Sequence, residues 1–507
     1  MSNPLYDNLF GKYIGAKTSF IETSDGKIIT HGGFVAMASR LANVFKSMGL
    51  KKGDRIAIQV EKSVTALCIY AACVQSGIVF LPLNTGYTAN EIDYFIKDSG
   101  SKLLVCDEEK LSEISLKLQD IEIELFTLNE DETGSIVALA KEQKNIFETV
   151  EANEDDLAAF LYTSGTTGRS KGAMLTQNNL LSNAKTLVDY WQFNNKDNLL
   201  HALPIFHTHG LFVAINVCLI SGSKIILMPR FNVDELIHNI PKATVLMGVP
   251  TFYTRLLSKD TFNKKLCKKM RLFISGSAPL LAETHVNFEE RTGFRILERY
   301  GMTETNMSTS NPYNAERRSG TVGFPLPGVE LKITDPKTGN ELPRGEIGHL
   351  EVRGPNVFVG YWNMPEKTKE ELREDGFFIT GDLGLMDKDG YVQIIGRDKD
   401  LIISGGLNIY PKELELLLDE QEGVLESAVI GVPHPDFGET PLGILVREKS
   451  AEPKIDKIEK IIKSQLAKYK HPRQLIVIDE LPRNTMGKVQ KNLLRDKYKD
   501  TFLGQLI

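Results

Sequence analysis

The segment YTSGTTGRSKG, Tyr162–Gly172, follows an apolar run, Ala158–Tyr162, that is typical of a buried strand. Glycine lets a backbone approach an anion closely, and the successive N–H groups of such a loop form a concave anion site to which hydroxyl groups add donors. Lys171 adds a flexible positive charge. The segment therefore predicts a polyphosphate-binding loop, with the candidate residues Thr163, Ser164, Gly165, Thr166, Thr167, Gly168 and Lys171.

This loop is not a Walker loop, because that pattern needs GxxxxGK[ST] and Lys171 is followed by Gly172. The remaining alternative is a flexible glycine-rich turn without a ligand. A strand before the loop and the helix-like segment NNLLSNAKTLVDYW, residues 178–191, after it favour phosphate binding over such a turn.

Short apolar runs alternate with helical patterns on the N-terminal side of the loop. Arg55–Val60 and Ile78–Leu83 have the pattern of strands and enclose the helical pattern of Val64–Ser76, and Lys102–Asp107 repeats the strand pattern. Units of strand, helix and strand predict a parallel sheet covered by helices. We therefore expect an α/β fold with helix-covered sheets in a large N-terminal domain.

The character of the sequence changes twice toward the C-terminus. From about 320 to 395, glycines and short β-runs alternate, which predicts a β-rich, barrel-like subdomain. After GRDKD, Gly396–Asp400, helical and strand patterns of α+β character follow. We expect an N-terminal domain of residues 1–398 that includes the β-rich part, and a small C-terminal α+β domain of residues 399–507.

The composition indicates a globular protein without a general field of basic charge. The chain is 42% hydrophobic and 25% charged, with a formal net charge of −6, which argues against nucleic acid as a partner. Its five cysteines form no CxxC pair, so neither a disulfide framework nor a zinc site is expected. The apolar stretch Val64–Leu81 contains Gln75, Ser76 and Gly77 and is interpreted as helix, turn and strand, not a membrane span. Without a recognisable secretory signal, the cytoplasm is the expected location.

Further motifs follow the loop in a fixed order. They are LPIFHTHG (Leu203–Gly210), SGSAPL (Ser275–Leu280), ERYGMTET (Glu298–Thr305), TGDLG (Thr380–Gly384), GRDKDLIISGGLNIYP (Gly396–Pro411) and LPRNTMGKVQK (Leu481–Lys491). With the loop, this set resembles the adenylate-forming superfamily of acyl-CoA synthetases, peptide-synthetase adenylation domains and luciferase. The resemblance covers nearly the whole chain and implies ATP and coenzyme A as co-substrates, Mg²⁺ as the metal, and a mobile C-terminal lid.

The resemblance also assigns roles to individual positions. Mg²⁺ would be bound by Glu304 and Thr167, because this hard cation prefers oxygen ligands. The implied ATP-binding residues beyond the loop are Gly276, Ser277, Ala278, Glu298, Arg299, Tyr300, Gly301, Met302, Thr303, Asp382, Arg397 and Lys488. The implied catalytic residues are Lys488, Glu304, Thr163 and His207. Lys399 would be the hinge, and Ser404, Gly405 and Gly406 would line the path of coenzyme A.

A physical reason supports the implied roles of Lys488 and His207. A lysine such as Lys488 would offset the charge that develops as a carboxylate attacks the α-phosphate. His207 is expected to position or gate the acid and not to act as a base, because a carboxylate substrate is already ionised. Asp382 would accept hydrogen bonds from the ribose hydroxyls, with Arg397 on the ribose or phosphate.

Two arginines fall in the segments where the acid should bind, Arg255 in VPTFYTR and Arg299 in ERYGMTET. A buried guanidinium facing an alkyl tail would be costly, whereas a second carboxylate would pair with it bidentately. The sequence resembles the malonyl-CoA synthetases in three segments, VLMGVPTFYTRLL, LFISGSAPL and LERYGMTETNMSTSNPY. That resemblance implies malonate or methylmalonate as the acid, bound by Arg255, Arg299, His207 and Ser277. The alternative for Arg299 is a structural ion pair with Glu298 or another acid.

Other functions stay open at this point. Within the superfamily, the nearest rival is a ligase for another short carboxylic acid. A phosphate-loop NTPase and a non-catalytic binding relative are the alternatives from other classes, and the retention of Lys488, Glu304 and Asp382 argues against the second. The PRNTMGK context of Lys488 resembles that of reversibly acetylated ligases, which suggests a lysine acetyltransferase as a partner.

Overall fold

The computed structural model describes residues 2–163, 170–404, 407–435, 437–448, 451–484 and 487–502. The chain divides into two units by its internal contacts. The first unit comprises Met1–Leu331 and Val352–Phe378, and the second comprises Lys332–Glu351 and Ile379–Ile507. The boundary at 398/399 concerns a hinge and stays a prediction from the sequence.

The secondary structure of the described residues alternates along most of the chain. The α-helices are α1 Pro4–Leu9, α2 His31–Ser47, α3 Val64–Ser76, α4 Ala89–Ser99, α5 Glu108–Lys117, α6 Ser135–Lys141, α7 Gln177–Tyr190, α8 Ala214–Ser221, α9 Val233–Asn239, α10 Pro250–Leu257, α11 Ala282–Thr292, α12 Pro365–Glu371, α13 Pro411–Asp419, α14 Ile455–Gln465 and α15 Lys491–Tyr498. The strands of the first unit are β1 Ser19–Thr23, β2 Ile28–Thr30, β3 Arg55–Gln59, β4 Val79–Pro82, β5 Leu103–Cys106, β6 Glu124–Thr127, β7 Leu157–Thr163, β8 Lys171–Thr176, β9 Asn198–His201, β10 Lys224–Leu227, β11 Val245–Gly248, β12 Leu272–Ser275, β13 Leu297–Met302, β14 Asn306–Ser310 and β15 Phe324–Pro325. The later strands are β16 Glu330–Thr334, β17 Gly348–Arg353, β18 Phe378–Met386, β19 Val392–Arg397, β20 Ile402–Ser404, β21 Leu407–Ile409, β22 Val424–His434, β23 Gly438–Arg447 and β24 Gln474–Ile478.

Two sheets organise the first unit. One has six strands in the order β6-β5-β3-β4-β7-β8, in which only the last pair is antiparallel. The other has nine strands in the order β15-β14-β13-β12-β11-β9-β10-β1-β2, and its central strands from β10 to β13 are parallel. Parallel strands bring their carboxyl ends to one edge, where ligands of open α/β sheets bind.

Helix α3 shows why the most apolar stretch of the chain does not span a membrane. All of its residues are buried, Ser63 caps its N-terminus, and Gly77 ends it in the left-handed conformation at φ 68°. Strand β4 starts two residues later, so the stretch is a core helix, a turn and a core strand, as predicted. None of the helices described here combines the length and apolarity that a membrane crossing needs.

The second unit contains two further sheets. Strands β16–β19 form one sheet in sequence order, and β18 and β19 pair in an antiparallel hairpin. The C-terminal part has a sheet in the order β21-β20-β23-β22, with β24 parallel to β23. Its core forms where α13 and α14 pack on this sheet, around Leu414, Leu418, Val429 and Ile458. The α/β class with a β-rich part and a smaller α+β part is confirmed.

Asp419, at the end of α13, should make the stability of the second unit depend on pH. It accepts a hydrogen bond from the Ser427 hydroxyl at 2.7 Å, yet burial raises its pKa from 3.8 to about 6. The folded state therefore keeps a proton that the unfolded chain releases, so this contribution to stability falls as the pH rises from about 4 to about 6. Asp419→Asn should raise the free energy of opening of β22 by about 1–3 kcal/mol at about pH 7.5 and change it little at about pH 4.

Hydrogen exchange of the β22 amides, corrected for the intrinsic rate at each pH, measures this free energy. Asp456→Asn is a matched control, because Asp456 is exposed on α14 of the same unit. Equal protection of the Asp419→Asn variant and the wild type at about pH 7.5 would contradict the assigned cost.

Candidate active site

The predicted phosphate loop connects two strands at the edge of the six-stranded sheet. Thr163 ends β7, Lys171 begins β8, and the two residues are opposite each other in the antiparallel register. Ser164, Gly165, Thr166, Thr167 and Gly168 lie outside the described residues. The flanking strands therefore fix both ends of the loop. Lys171, at the second of these ends, is only 9% exposed.

Lys171 makes an ion pair that the sequence did not reveal. Its Nζ lies 3.1 Å from each carboxylate oxygen of Glu371, at the end of α12, and 4.2 Å from the ring centroid of Tyr361. Burial raises the pKa of Glu371, but hydrogen bonds from Tyr361 and Lys367 and the charge of Lys171 outweigh it, and the net pKa is lowered. Glu371 is thus an ionised carboxylate that compensates the loop lysine.

Glu304 lies between β13 and β14 and is 4% exposed. Its carboxylate accepts a hydrogen bond from the Tyr361 hydroxyl at 3.0 Å and has the Thr163 hydroxyl at 3.5 Å. Within the described part of the chain, Glu304 has neutral hydroxyl partners and no ion pair. A buried carboxylate with only neutral donors suits a cation such as Mg²⁺, which typically takes one or two protein carboxylates and completes its shell with phosphates and water.

Tyr361 connects these two carboxylates. Its hydroxyl lies 2.6 Å from Glu371 and 3.0 Å from Glu304, and burial together with both acids raises its pKa. The backbone around Tyr361 pairs with β8, since Trp362 N–H donates to the Gly172 carbonyl at 2.8 Å. Neither Tyr361 nor Glu371 belongs to a recognised motif, and only the pairing of distant segments brings them beside Lys171.

Two of the predicted acid-binding residues belong to neighbouring strands, since Arg299 lies within β13 and Ser277 follows the end of β12 by two residues. Arg299 is 3% exposed, and its Nε and Nη2 atoms have no hydrogen-bond partner among the described residues. A Cβ on Gly276 would lie 2.3 Å from the Cζ atom of Arg299, so glycine is required for the guanidinium to pack there. Burial lowers the pKa of Arg299 to about 9. The site holds a desolvated cation with donors available for an anion.

Glu298, the neighbour of Arg299, has a different partner. Its Oε1 atom lies 3.3 Å from His285 Nδ1, and burial raises the pKa of this carboxyl despite the histidine. Arg299 makes no ion pair in the described ranges. The structural ion pair considered as an alternative for Arg299 is therefore absent from them.

The other predicted residues of this region are placed as follows. Arg255 is exposed on α10, with its guanidinium carbon 5.6 Å from the Phe231 ring centroid. His207 is half-buried, and its Nδ1 accepts from the backbone N–H of His209 at 3.4 Å. Ser277 Oγ lies 3.3 Å from His209 Nδ1. The remaining members of this set lie in β13 or directly beside these residues, namely Tyr300, Gly301, Met302, Thr303 and Ala278.

The predicted ribose, hinge and lysine positions belong to the second unit. Asp382 and Arg397 are paired across the β18–β19 hairpin at 2.9 Å, and Arg397 also donates to the Thr380 carbonyl. Lys399 is exposed in a short 3₁₀ turn, Asp398–Asp400. Lys488 is exposed, and its backbone N–H donates to the Asn484 side chain. Ser404 ends β20, whereas Gly405 and Gly406 lie outside the described residues.

A buried lysine, Lys62, holds the start of the segment that contains His207 and His209. Lys62 is 5% exposed and donates to the carbonyls of His201 and Leu203, at 3.2 and 2.8 Å, and to His201 Nδ1 at 3.3 Å. Opposite this bond, His201 Nε2–H donates to the Gly210 carbonyl at 2.7 Å. Together these bonds join the two ends of the segment from His201 to Gly210. A lone lysine before a helix gave no sequence signal for this role.

Lys62→Met should destabilise the first unit, because the buried carbonyls of His201 and Leu203 would lose their donor. We expect a loss of about 2–4 kcal/mol in the free energy of unfolding. Urea unfolding followed by tryptophan fluorescence reports this unit, since Trp191 and Trp362 both lie in it. The exposed Lys51→Met variant is the control. An unchanged urea midpoint in Lys62→Met would argue against the role of Lys62 in holding the segment from His201 to Gly210.

Comparison with known proteins identifies the family of the chain. Residues 12–362 match the AMP-binding enzyme family, and residues 413–488 match the C-terminal domain of AMP-binding enzymes. The chain therefore belongs to the AMP-binding enzyme family, which confirms the adenylate-forming resemblance.

Individual relatives span almost the whole chain. The crystal structure of ATP-bound MatB from Rhodopseudomonas palustris matches this chain with a TM-score of 0.97. The two sequences are 55% identical, and the match covers 99% of this chain and 100% of that chain. Malonate–CoA ligase of Arabidopsis thaliana is 34% identical over 97% of this chain and 90% of its own. Long-chain-fatty-acid–CoA ligase of Bacillus subtilis is 32% identical over 93% of this chain and 90% of its own.

Proposed function

We propose that this protein is an ATP-dependent malonate–CoA ligase, which converts malonate, ATP and coenzyme A into malonyl-CoA, AMP and pyrophosphate. The observation that carries the choice of acid is Arg299, a buried guanidinium whose Nε and Nη2 have no hydrogen-bond partner in the part of the chain that the structure describes. An uncompensated charge in the interior is costly, and a substrate carboxylate would compensate it with two parallel hydrogen bonds.

Family membership alone does not fix the acid, because relatives at nearly the same identity have names that refer to malonate and to long-chain fatty acids. An alkyl tail beside Arg299 would leave the guanidinium desolvated and unpaired. A short dicarboxylic acid presents one carboxylate to react and a second to pair with Arg299. Methylmalonate has the same two carboxylates and is a second candidate substrate.

The first half-reaction is adenylation. One carboxylate oxygen of malonate attacks the α-phosphorus of ATP, the bond to the β-phosphate breaks, and pyrophosphate leaves. Thr163, Lys171 and the loop between them bind the phosphates, and Lys171 exchanges Glu371 for a phosphate oxygen. Glu304, with Thr167, would hold Mg²⁺, which when bound neutralises phosphate charge. Asp382 accepts from the ribose hydroxyls, and Lys488 offsets the charge that develops at the reacting centre.

The second half-reaction is thioester formation. The thiolate of coenzyme A attacks the acyl carbon of malonyl-AMP, the acyl–phosphate bond breaks, and AMP leaves with its electron pair. A rotation about Lys399 withdraws Lys488 before this step, and Ser404, Gly405 and Gly406 line the approach of the pantetheine. His207 positions the reacting carboxylate and needs no proton transfer, because malonate is ionised at neutral pH.

Acid-dependent exchange of pyrophosphate into ATP tests this function directly. Malonate and methylmalonate should support exchange, whereas succinate, acetate and a cinnamate should support it poorly. Formation of ADP and phosphate without any acid dependence would instead favour an NTPase, and preference for acetate would favour a monocarboxylate ligase.

Lys488→Ala should separate the two half-reactions. Adenylation should fall by about 10²–10³-fold because the charge at the reacting centre is lost. Formation of malonyl-CoA from supplied malonyl-AMP should change little, since the lysine is withdrawn in that step. Lys460→Ala, an exposed lysine on α14, is the matched control. Equal loss of both half-reactions would refute the assigned role.

Arg299→Ala should raise the KM for malonate by about 10²-fold or more and leave the KM for ATP within about threefold, because the lost bidentate pair contacts only the acid. Arg255→Ala, measured beside it, reports whether the exposed arginine on α10 contributes to the same carboxylate. Arg291→Ala, exposed on α11, is the control for loss of a surface arginine. An unchanged malonate KM in Arg299→Ala would refute the dicarboxylate assignment.

We also propose a cytoplasmic location and acetylation of Lys488 by a lysine acetyltransferase. All five cysteines are free and buried, as is common in a reducing compartment. Lys488 is exposed, and acetylation would remove the charge that adenylation uses. Cell fractionation tests the first proposal, and mass spectrometry of the intact enzyme after incubation with an acetyltransferase tests the second.

A further inference from the structure

His209 is a buried histidine without a role in the function proposed above. Its side chain is completely buried, and its Nε2 atom has no hydrogen-bond partner within the described ranges. It opens a short π-helix, His209–Val213, a rare local conformation that is frequent at functional sites. The preceding residue is held separately, since the Thr208 hydroxyl donates to the Asn306 side chain at 2.8 Å. The position of the ring is thus fixed while one of its nitrogens remains unused.

The other ring nitrogen is held by Ser277. Ser277 Oγ lies 3.3 Å from His209 Nδ1, and the serine has a left-handed backbone with φ of 70°. A residue other than glycine adopts this conformation only when its surroundings require it. We assign the Ser277 hydroxyl as the donor to Nδ1, which puts the ring proton on Nε2 and makes the unused atom of His209 a hydrogen-bond donor.

The side chains of His209 and Arg299 both contact the segment Gly276–Ser277. Arg299 packs on Gly276, and His209 contacts Ser277, the next residue in the chain. Consecutive Cα atoms are only about 3.8 Å apart, so the two side chains converge on the same peptide. Burial, and next the charge of Arg299, lower the pKa of His209 well below its usual value, with smaller effects of His207 and His201. The ring is therefore neutral and donates without adding charge.

We propose that His209 is a specificity-determining residue, whose Nε2–H donates to the same substrate carboxylate that pairs with Arg299. This inference rests on the proposed function. A carboxylate has about four lone-pair positions, enough for two bonds from Arg299 and one from His209. A monocarboxylic acid would leave both groups unpaired in a buried site, and such unpaired groups are the strongest basis for rejecting an analogue.

Two amide variants separate the two nitrogens of the ring. Asn in His209→Asn places its amide near the position of Nδ1, within reach of Ser277, and has no donor at the position of Nε2. Gln in His209→Gln extends its amide to the position of Nε2. The expected rise in malonate KM is about 10- to 100-fold for His209→Asn and less than about threefold for His209→Gln. The KM for ATP and the kcat/KM for acetate should stay within about threefold in both variants.

A merely structural histidine gives a different pattern. It predicts that both variants weaken malonate, acetate and ATP alike, and that result, or an unchanged malonate KM in His209→Asn, would overturn the inference. Should His209→Asn fail to fold, His209→Leu replaces it, because leucine also lacks a donor at the position of Nε2 and should raise the malonate KM by about 10- to 100-fold. An unchanged KM there overturns the inference as well.

The same assay distinguishes this inference from the proposed function. If Arg299→Ala raises the malonate KM and His209→Asn does not, the dicarboxylate ligase stands and the role of His209 is wrong. If the wild type shows no malonate-dependent exchange, the proposed function itself fails. In the double variant, the two losses should be less than additive, because both groups hold one carboxylate.

Discussion

Burial of the Arg299 guanidinium is the constraint on which the acid site depends. The adjacent parallel strands β12 and β13 bring Gly276 against the guanidinium, and the absent side chain of this glycine provides the space. Glu298 could have neutralised the charge but is paired with His285. An interior cation without an acidic partner destabilises the free protein, and such a cost is typical of a site that a ligand completes.

In the proposed nucleotide site, by contrast, the buried lysine already has an acidic partner. Lys171 is compensated by Glu371 before any ligand binds, whereas Glu304 has only hydroxyl partners within the described residues. In the proposed reaction a phosphate would therefore replace the carboxylate of Glu371, while a cation would add directly to Glu304. Tyr361 lies between the two acids, so the phosphate and cation positions are coupled through one hydroxyl.

Local sequence was sufficient wherever one segment contains the whole signal. The stretch Val64–Leu81 divides into α3 and β4 because Ser63 and Gly77 cap the helix, and both caps are visible in the sequence. The helical pattern of residues 178–191 corresponds to α7, which starts one residue earlier and is capped by Thr176. Tyr361, Glu371 and Lys62 could not be found in this way, because each has a partner that is distant along the chain, at 57, 200 and 139 residues respectively.

The sequence by itself determined the family, since its motifs follow one another in the order typical of that family, and it predicted the residues of a nucleotide site. It could only suggest an acid, because an arginine in a motif is equally consistent with an ion pair. Tertiary structure decided between these two possibilities. Burial and the register of β12 and β13 left Arg299 without an ion-pair partner among the described residues and Arg255 exposed, and electrostatic cost depends on surroundings that no local pattern specifies.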